Sequence, residues 1–124
     1  MREVQSGRGE RAGRGAKSGS AKGRHAFRNW AGHVHAHPHT FSSPASAEEL
    51  SEIVTAAAAA GDRLRVVGAG HSFTPVAAGD DVMVSLDGLS GIIAVDEARK
   101  RVRFAAGTRL RDIPGLLEPV GLAL

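Results

Sequence analysis

The sequence predicts an α+β fold: a small β-α-β-β unit behind a disordered N-terminal tail. Three observations predict it. Residues 44–61 carry a helix with a start signal, an apolar stripe and a glycine stop. The short run Leu64, Val66 and Val67 is β-branched and followed at once by glycines, which marks a buried strand. Further apolar runs at 82–86, 92–95 and 102–105 are separated by turn residues.

The tail, residues 1–24, is rich in Gly, Ser and Arg and has too little apolar surface to offset its ordering entropy. It holds seven Lys/Arg and two acids, against nine and eleven in the remainder, so the formal net charge of +3 originates in the tail. The body is slightly acidic, and whole-chain charge is no argument for a nucleic-acid partner. The tail lacks the apolar segment of a secretory signal, and its glycines oppose an amphipathic transit helix. Absence of cysteine excludes disulfides and thiolate metal sites and fits a reducing compartment. No apolar run is long enough for a transmembrane helix, which leaves peripheral membrane contact open. A cytoplasmic location is expected.

Residues 25–124 form the folded region, with 42% hydrophobic residues in the whole chain, an ordinary globular value. FRNWAG at 27–32 contains the single tryptophan, Trp30, expected to anchor the chain on a core. His33, His35, His37 and His39 alternate with Val34, Ala36 and Pro38, so an extended strand would set all four imidazoles on one face. Such a row suits Zn²⁺ or Ni²⁺ in ligand type. Same-face neighbours on a strand lie ~7 Å apart, too far to share an ion easily, and no metal site is assigned.

In the helix, Ser46 and Glu49 make a capping box, and Glu48, Glu49 and Glu52 suit the positive end of the dipole. Leu50, Ile53, Val54 and Ala57 form the apolar stripe, the alanines at 56–60 permit close approach to a sheet, and Gly61 ends the helix. After the strand at 64–67 and its loop, 82–86 is a second strand. Residues 92–95 and 102–105 flank a charged hairpin turn at 96–101. A short helix with Leu110, Ile113, Leu116 and Leu117 facing inward follows Gly107-Thr108. Pro114 requires either that Asp112 is its N-cap or that the segment is irregular. The chain closes on the apolar run PVGLAL, expected to begin a buried strand of a longer enzyme.

The chemistry concentrates at 68–74. Gly68, Ala69 and Gly70 continue from Val67 as a turn whose backbone N–H groups can form an anion-binding nest. Ser72 and Thr74 add hydroxyl donors, and Phe73 packs under the loop. His71 stands directly after the nest, either as a nucleophile or as a loop histidine bonded to backbone. Ser85 and Asp87, at the end of the next strand, either face a ligand or serve turn chemistry. The loop is no Rossmann fingerprint, since Phe73 occupies the third glycine position, and no Walker loop, since it lacks lysine.

The segments VVGAGHSFTPVA, VMVSLDGL and VRFAAGTRLRDI, with FRNWAG before them, resemble the N-terminal FAD-binding part of vanillyl-alcohol-oxidase-type (PCMH-type) flavoproteins. Within that group they are most similar to the aldonolactone and alditol oxidases, of the D-arabinono-1,4-lactone and L-gulonolactone oxidase kind. The resemblance spans about residues 27–124. It implies the first lobe of a two-lobed FAD-binding domain, with Val67, Gly68, Ala69, Gly70, His71, Ser72, Phe73, Thr74, Ser85 and Asp87 toward the cofactor and His71 bonded covalently to the flavin. It also implies oxidation of a sugar alcohol or aldonolactone with O₂ as acceptor. Substrate and catalytic groups belong to the remaining C-terminal part, so this segment alone is expected to be inactive. A flavin-dependent dehydrogenase or an inactive flavin-binding remnant keeps the fold. A non-enzymatic module whose basic tail contacts nucleic acid leaves the glycine loop unexplained.

Overall fold

The computed structural model describes Arg2–Glu3, Ala21–Lys22 and residues 25–72 and 74–124. Apart from those two short strands, the expected disorder of residues 1–24 lies outside the described residues, as does Phe73. The chain forms two compact units. One is Ser18–Leu89; the other is Ser90–Leu124 with Met1–Lys17.

In the first unit the strands are β2 (Ala21–Lys22), β3 (Phe27–Arg28), β4 (His35–Ala36), β5 (Thr40–Ser42), β6 (Leu64–Val67) and β7 (Val82–Ser85), with helix α1 (Ala47–Ala60) between β5 and β6. Strands β2-β5-β7-β6 form one sheet in that order. β5, β7 and β6 run parallel, in register Thr40 to Val82 and Leu64 to Val82, and β2 is an antiparallel edge. β3 and β4 make a separate antiparallel pair, Phe27 opposite Ala36.

β7 is buried along its whole length, with Met83 and Val84 fully inaccessible. Its two faces serve two clusters, as period-two alternation requires. Val82 and Val84 meet Ala57 of α1, with Leu50, Ile53, Leu64 and Leu86 around them. Met83 joins Val67 and Ala36, packed by Phe27, Phe41, Ala77 and Ala78. The parallel sheet is therefore covered on both sides, as such sheets must be.

α1 begins as its sequence dictates. The Ser46 hydroxyl accepts the Glu49 N–H at 3.1 Å, and Glu49 reaches back to the Ala45 N–H at 2.8 Å. Gly61 ends it at φ +74°, and its N–H reaches the Ala57 and Ala58 carbonyls. Three expectations fail in detail. Val54 is 48% exposed, and of the alanine run only Ala57 reaches the sheet, because the helix touches it along a narrow stripe. β6 is an edge strand, so Val67 is buried but Val66 is half-exposed. Trp30 is 70% exposed and does not anchor a core; its neighbour Asn29 is the buried residue.

In the second unit, β1 (Arg2–Glu3), β8 (Ile92–Asp96) and β9 (Arg101–Phe104) form an antiparallel sheet with β8 central. The expected hairpin is present. Asp96 accepts from the Arg99 N–H and guanidinium, both at 3.1 Å, and Lys100 takes φ +52°. A register shift between Ile92 and Ala94 leaves Ile93 exposed. Helix α2 (Ile113–Leu117) starts after Asp112 with Pro114 in its first turn, where a missing N–H costs nothing. Ile113 and Leu117 are buried, but Leu110 is 80% exposed, because it lies in a preceding 3₁₀ turn rather than on the helix face.

Candidate cofactor site

β6 delivers the glycine loop at its carboxyl end, the end at which parallel sheets bind ligands. A cleft of about 240 Å³ opens there, on the face opposite α1. Val67, Gly68, Ala69, Gly70, His71, Ser72 and Thr74 all line it. Ser85 and Asp87 are not among its lining residues. The Ser85 hydroxyl is buried and accepts the Asp87 N–H at 3.3 Å, the turn chemistry that was the alternative for this pair.

The two glycines have different jobs. A side chain at Gly68 would meet nothing within 4 Å, so this backbone is open toward the cleft. Gly70 sits at φ +74°, a conformation L side chains rarely adopt, while the space around it allows ordinary contacts. Among the described residues, no lysine or arginine lines the cleft. The donors that the lining offers an anion are backbone N–H groups and the Ser72 and Thr74 hydroxyls.

The loop is fastened from 27–34. Asn29, 5% exposed, donates its side-chain amide to the Ser72 carbonyl at 2.9 Å and accepts the Val34 N–H at 3.0 Å. The Trp30 N–H donates to the Gly70 carbonyl at 2.7 Å. The Trp30 and His71 rings stack, centroids 5.3 Å apart and planes 14° from parallel. Phe27, Asn29 and Val34 also line the cleft. Sequence reasoning fixed on the tryptophan of FRNWAG and missed Asn29. A polar residue between an arginine and a tryptophan in a segment expected to pack on the core was the available signal.

The histidine row behaves as its alternation predicts in one respect: all four imidazoles are exposed, while Ala36 and Pro38 are buried. Only His35 lies in a strand. The His37 N–H donates to Asp80, and His39 pairs with Asp62 at 3.4 Å. His39, Asp62 and Asp81 place ligand atoms within 4.8 Å of one another. The Asp81 oxygen already accepts from the Arg63 N–H at 3.1 Å and its guanidinium at 3.2 Å, which hold its carboxyl below the usual range.

These residues fit a flavin dinucleotide in part. Open glycine backbone and two hydroxyls suit a pyrophosphate, but the cleft is smaller than the roughly 300–1,000 Å³ that envelops a drug-sized ligand. The cleft by itself would therefore take only a portion of such a cofactor.

Residues 38–124 match a family described as FAD binding domain. L-gulono-1,4-lactone dehydrogenase of Mycobacterium tuberculosis is 39% identical over 85 residues, 68% of this chain and 20% of the relative. L-gulonolactone oxidase of Scyliorhinus torazame is 37% identical over 98 residues, covering 79% and 22%. D-arabinono-1,4-lactone oxidase of Eremothecium gossypii is 38% identical over 102 residues, covering 79% and 19%. The chain thus spans about a fifth of the length of these relatives. Among solved structures, CrmK, a flavoenzyme of caerulomycin biosynthesis, superposes with TM-score 0.61 at 31% identity over 74% of this chain and 18% of its own. Cholesterol oxidase from B. sterolicum gives 0.66 at 21% identity over 84% and 21%, a likeness of fold. With its glycine cleft and a family match over residues 38–124, the chain belongs to the FAD binding domain family, and FAD is its cofactor.

Proposed function

We propose that this chain is the cofactor-holding N-terminal part of a flavin-dependent oxidoreductase that acts on the CH–OH group of an aldonolactone or a sugar alcohol, with O₂ as acceptor. The observation that carries the reading is His71, exposed at a cleft built from open glycine backbone at the carboxyl end of β6. Val67 to Gly70 present N–H groups to the pyrophosphate, Ser72 and Thr74 add hydroxyls, and an imidazole nitrogen of His71 would bond the flavin 8α-carbon in place of one C–H bond, the two electrons released passing through the ring to O₂. Ser85 and Asp87 shape the turn beyond β7 and are given no cofactor contact. When bound, FAD accepts the hydride that the carbinol carbon gives up. The names of the gulonolactone and arabinonolactone oxidases support the substrate class. The mycobacterial relative, named a dehydrogenase, favours a second reading in which the acceptor is not O₂.

The test uses protein purified from its source, denatured and precipitated, with flavin measured in pellet and supernatant. Flavin in the pellet of the wild type and in the supernatant of His71→Ala is expected. Flavin that stays in the His71→Ala pellet overturns the attachment, and a wild type free of flavin overturns the cofactor assignment. Reoxidation of lactone-reduced protein by O₂ then separates oxidase from dehydrogenase: slow reoxidation selects the latter.

A further inference from the structure

The fastening of the loop singles out residues beyond the cofactor contacts. His71 is held on three sides by Asn29 and Trp30. The carbonyl before it, Gly70, accepts the Trp30 N–H at 2.7 Å, and the carbonyl after it, Ser72, accepts the Asn29 side chain at 2.9 Å. The imidazole lies against the indole at 5.3 Å and 14°. Asn29 itself is fixed, since its side chain and its backbone N–H both bond to Val34 at 3.0 Å. Trp30 is 70% exposed, so its position is not explained by burial of apolar surface. The indole is thus stacked on one imidazole while its own backbone is bonded beside that imidazole.

We propose that Trp30 is a positioning residue for His71: it fixes the plane of the imidazole, while the Asn29–Trp30 backbone and side-chain bonds fix the His71 backbone. The proposal rests on the reading of His71 as the flavin attachment point for its consequence, and on the stacking alone for its geometry. A histidine free to rotate samples the attachment orientation only part of the time, and a loss of orientation lowers the rate of bond formation. The stack also covers one face of the ring.

Two measurements test this. In the 124-residue chain, the His71 ring protons are expected upfield in the NMR spectrum from the current of the stacked indole. They should sit at ordinary histidine positions in Trp30→Ala and at intermediate positions in Trp30→Phe. Identical shifts in all three proteins overturn the proposal. In flavin-loaded protein, the initial rate of covalent incorporation should fall roughly three- to tenfold in Trp30→Ala, with total bound flavin unchanged and recovery in Trp30→Phe. Wild-type incorporation by Trp30→Ala overturns the positioning role. His71→Ala is the control for the underlying reading: covalent flavin in that variant removes His71 as attachment point, while the NMR shifts still decide whether Trp30 orients the ring.

Discussion

Helix α1 and the loop at 68–74 flank the same strand, β6, and are held in opposite ways. Everything that starts and stops α1 lies within it or beside it: Ser46 with Glu49, Glu49 with Ala45, Gly61 with the last turn. The loop's fastenings come from far back along the chain. Asn29 and Ser72 are 43 positions apart, and Trp30 reaches Gly70 over a similar span. The scaffold is specified locally, and the ligand-facing segment is specified by a remote one. The arrangement has a chemical use. The anchors grip Gly70 and Ser72, so Gly68 stays open to the cleft without needing contacts of its own.

The comparison breaks if the remote anchors matter no more than a local cap. Asn29→Ala is therefore expected to be more severe than the loss of a cap at Ser46. It removes two hydrogen bonds from a side chain that is 5% exposed and leaves the Val34 N–H and the Ser72 carbonyl without it. A loss of about 2–3 kcal/mol is expected, read from the midpoint of urea unfolding at unchanged slope. Amide exchange should accelerate at 70–72 and stay slow within α1. Loss of protection spread evenly over both would mean that the loop and helix are one cooperative unit and the contrast is false.

The same contrast explains what was legible in the sequence. α1 could be read to its caps because capping boxes and 3.6-residue periodicity are local signals. The hairpin of β8 and β9 could be read because Asp96 and its turn lie next to the strands they join. The residues lining the cleft at 67–72 and Thr74 were legible because glycines and hydroxyls cluster in the chain itself. β5 was not, since three residues, Thr40–Ser42, give no measurable period. Trp30 was misplaced because burial of an aromatic residue is a tertiary outcome, and here a single imidazole claimed its face. Leu110 was misplaced by one turn of 3₁₀ geometry, which shifts the phase of the apolar stripe.

A smaller effect sharpens the local side of the comparison. Ser46→Ala removes the hydroxyl that accepts the Glu49 N–H and should cost about 1 kcal/mol. Because that contact lies wholly within the scaffold, flavin binding and the His71 ring shifts should be unchanged. A flavin defect in Ser46→Ala would show that the helix N-terminus and the cleft are coupled.

The smallest expected effect lies at the other end of the sheet, where β6 and β7 begin. Asp81 accepts from the Arg63 N–H and then from its guanidinium, and these lower its carboxyl from the usual 3.8. A carboxylate whose folded value is depressed contributes stability that is fully present above the unfolded value and is lost as pH falls through the folded one. The contribution of Asp81 should therefore persist at near-neutral pH and disappear progressively below 3.8. Its partner is a surface arginine, 80% exposed, so the loss is small and shrinks further in salt. The check is the difference in urea midpoint between the wild type and Asp81→Asn, measured from near-neutral to acidic pH. A difference that closes on acidification places the ion pair at the amino end of the sheet as a minor, screened staple. A difference that stays constant would mean that Asp81 acts through shape rather than charge.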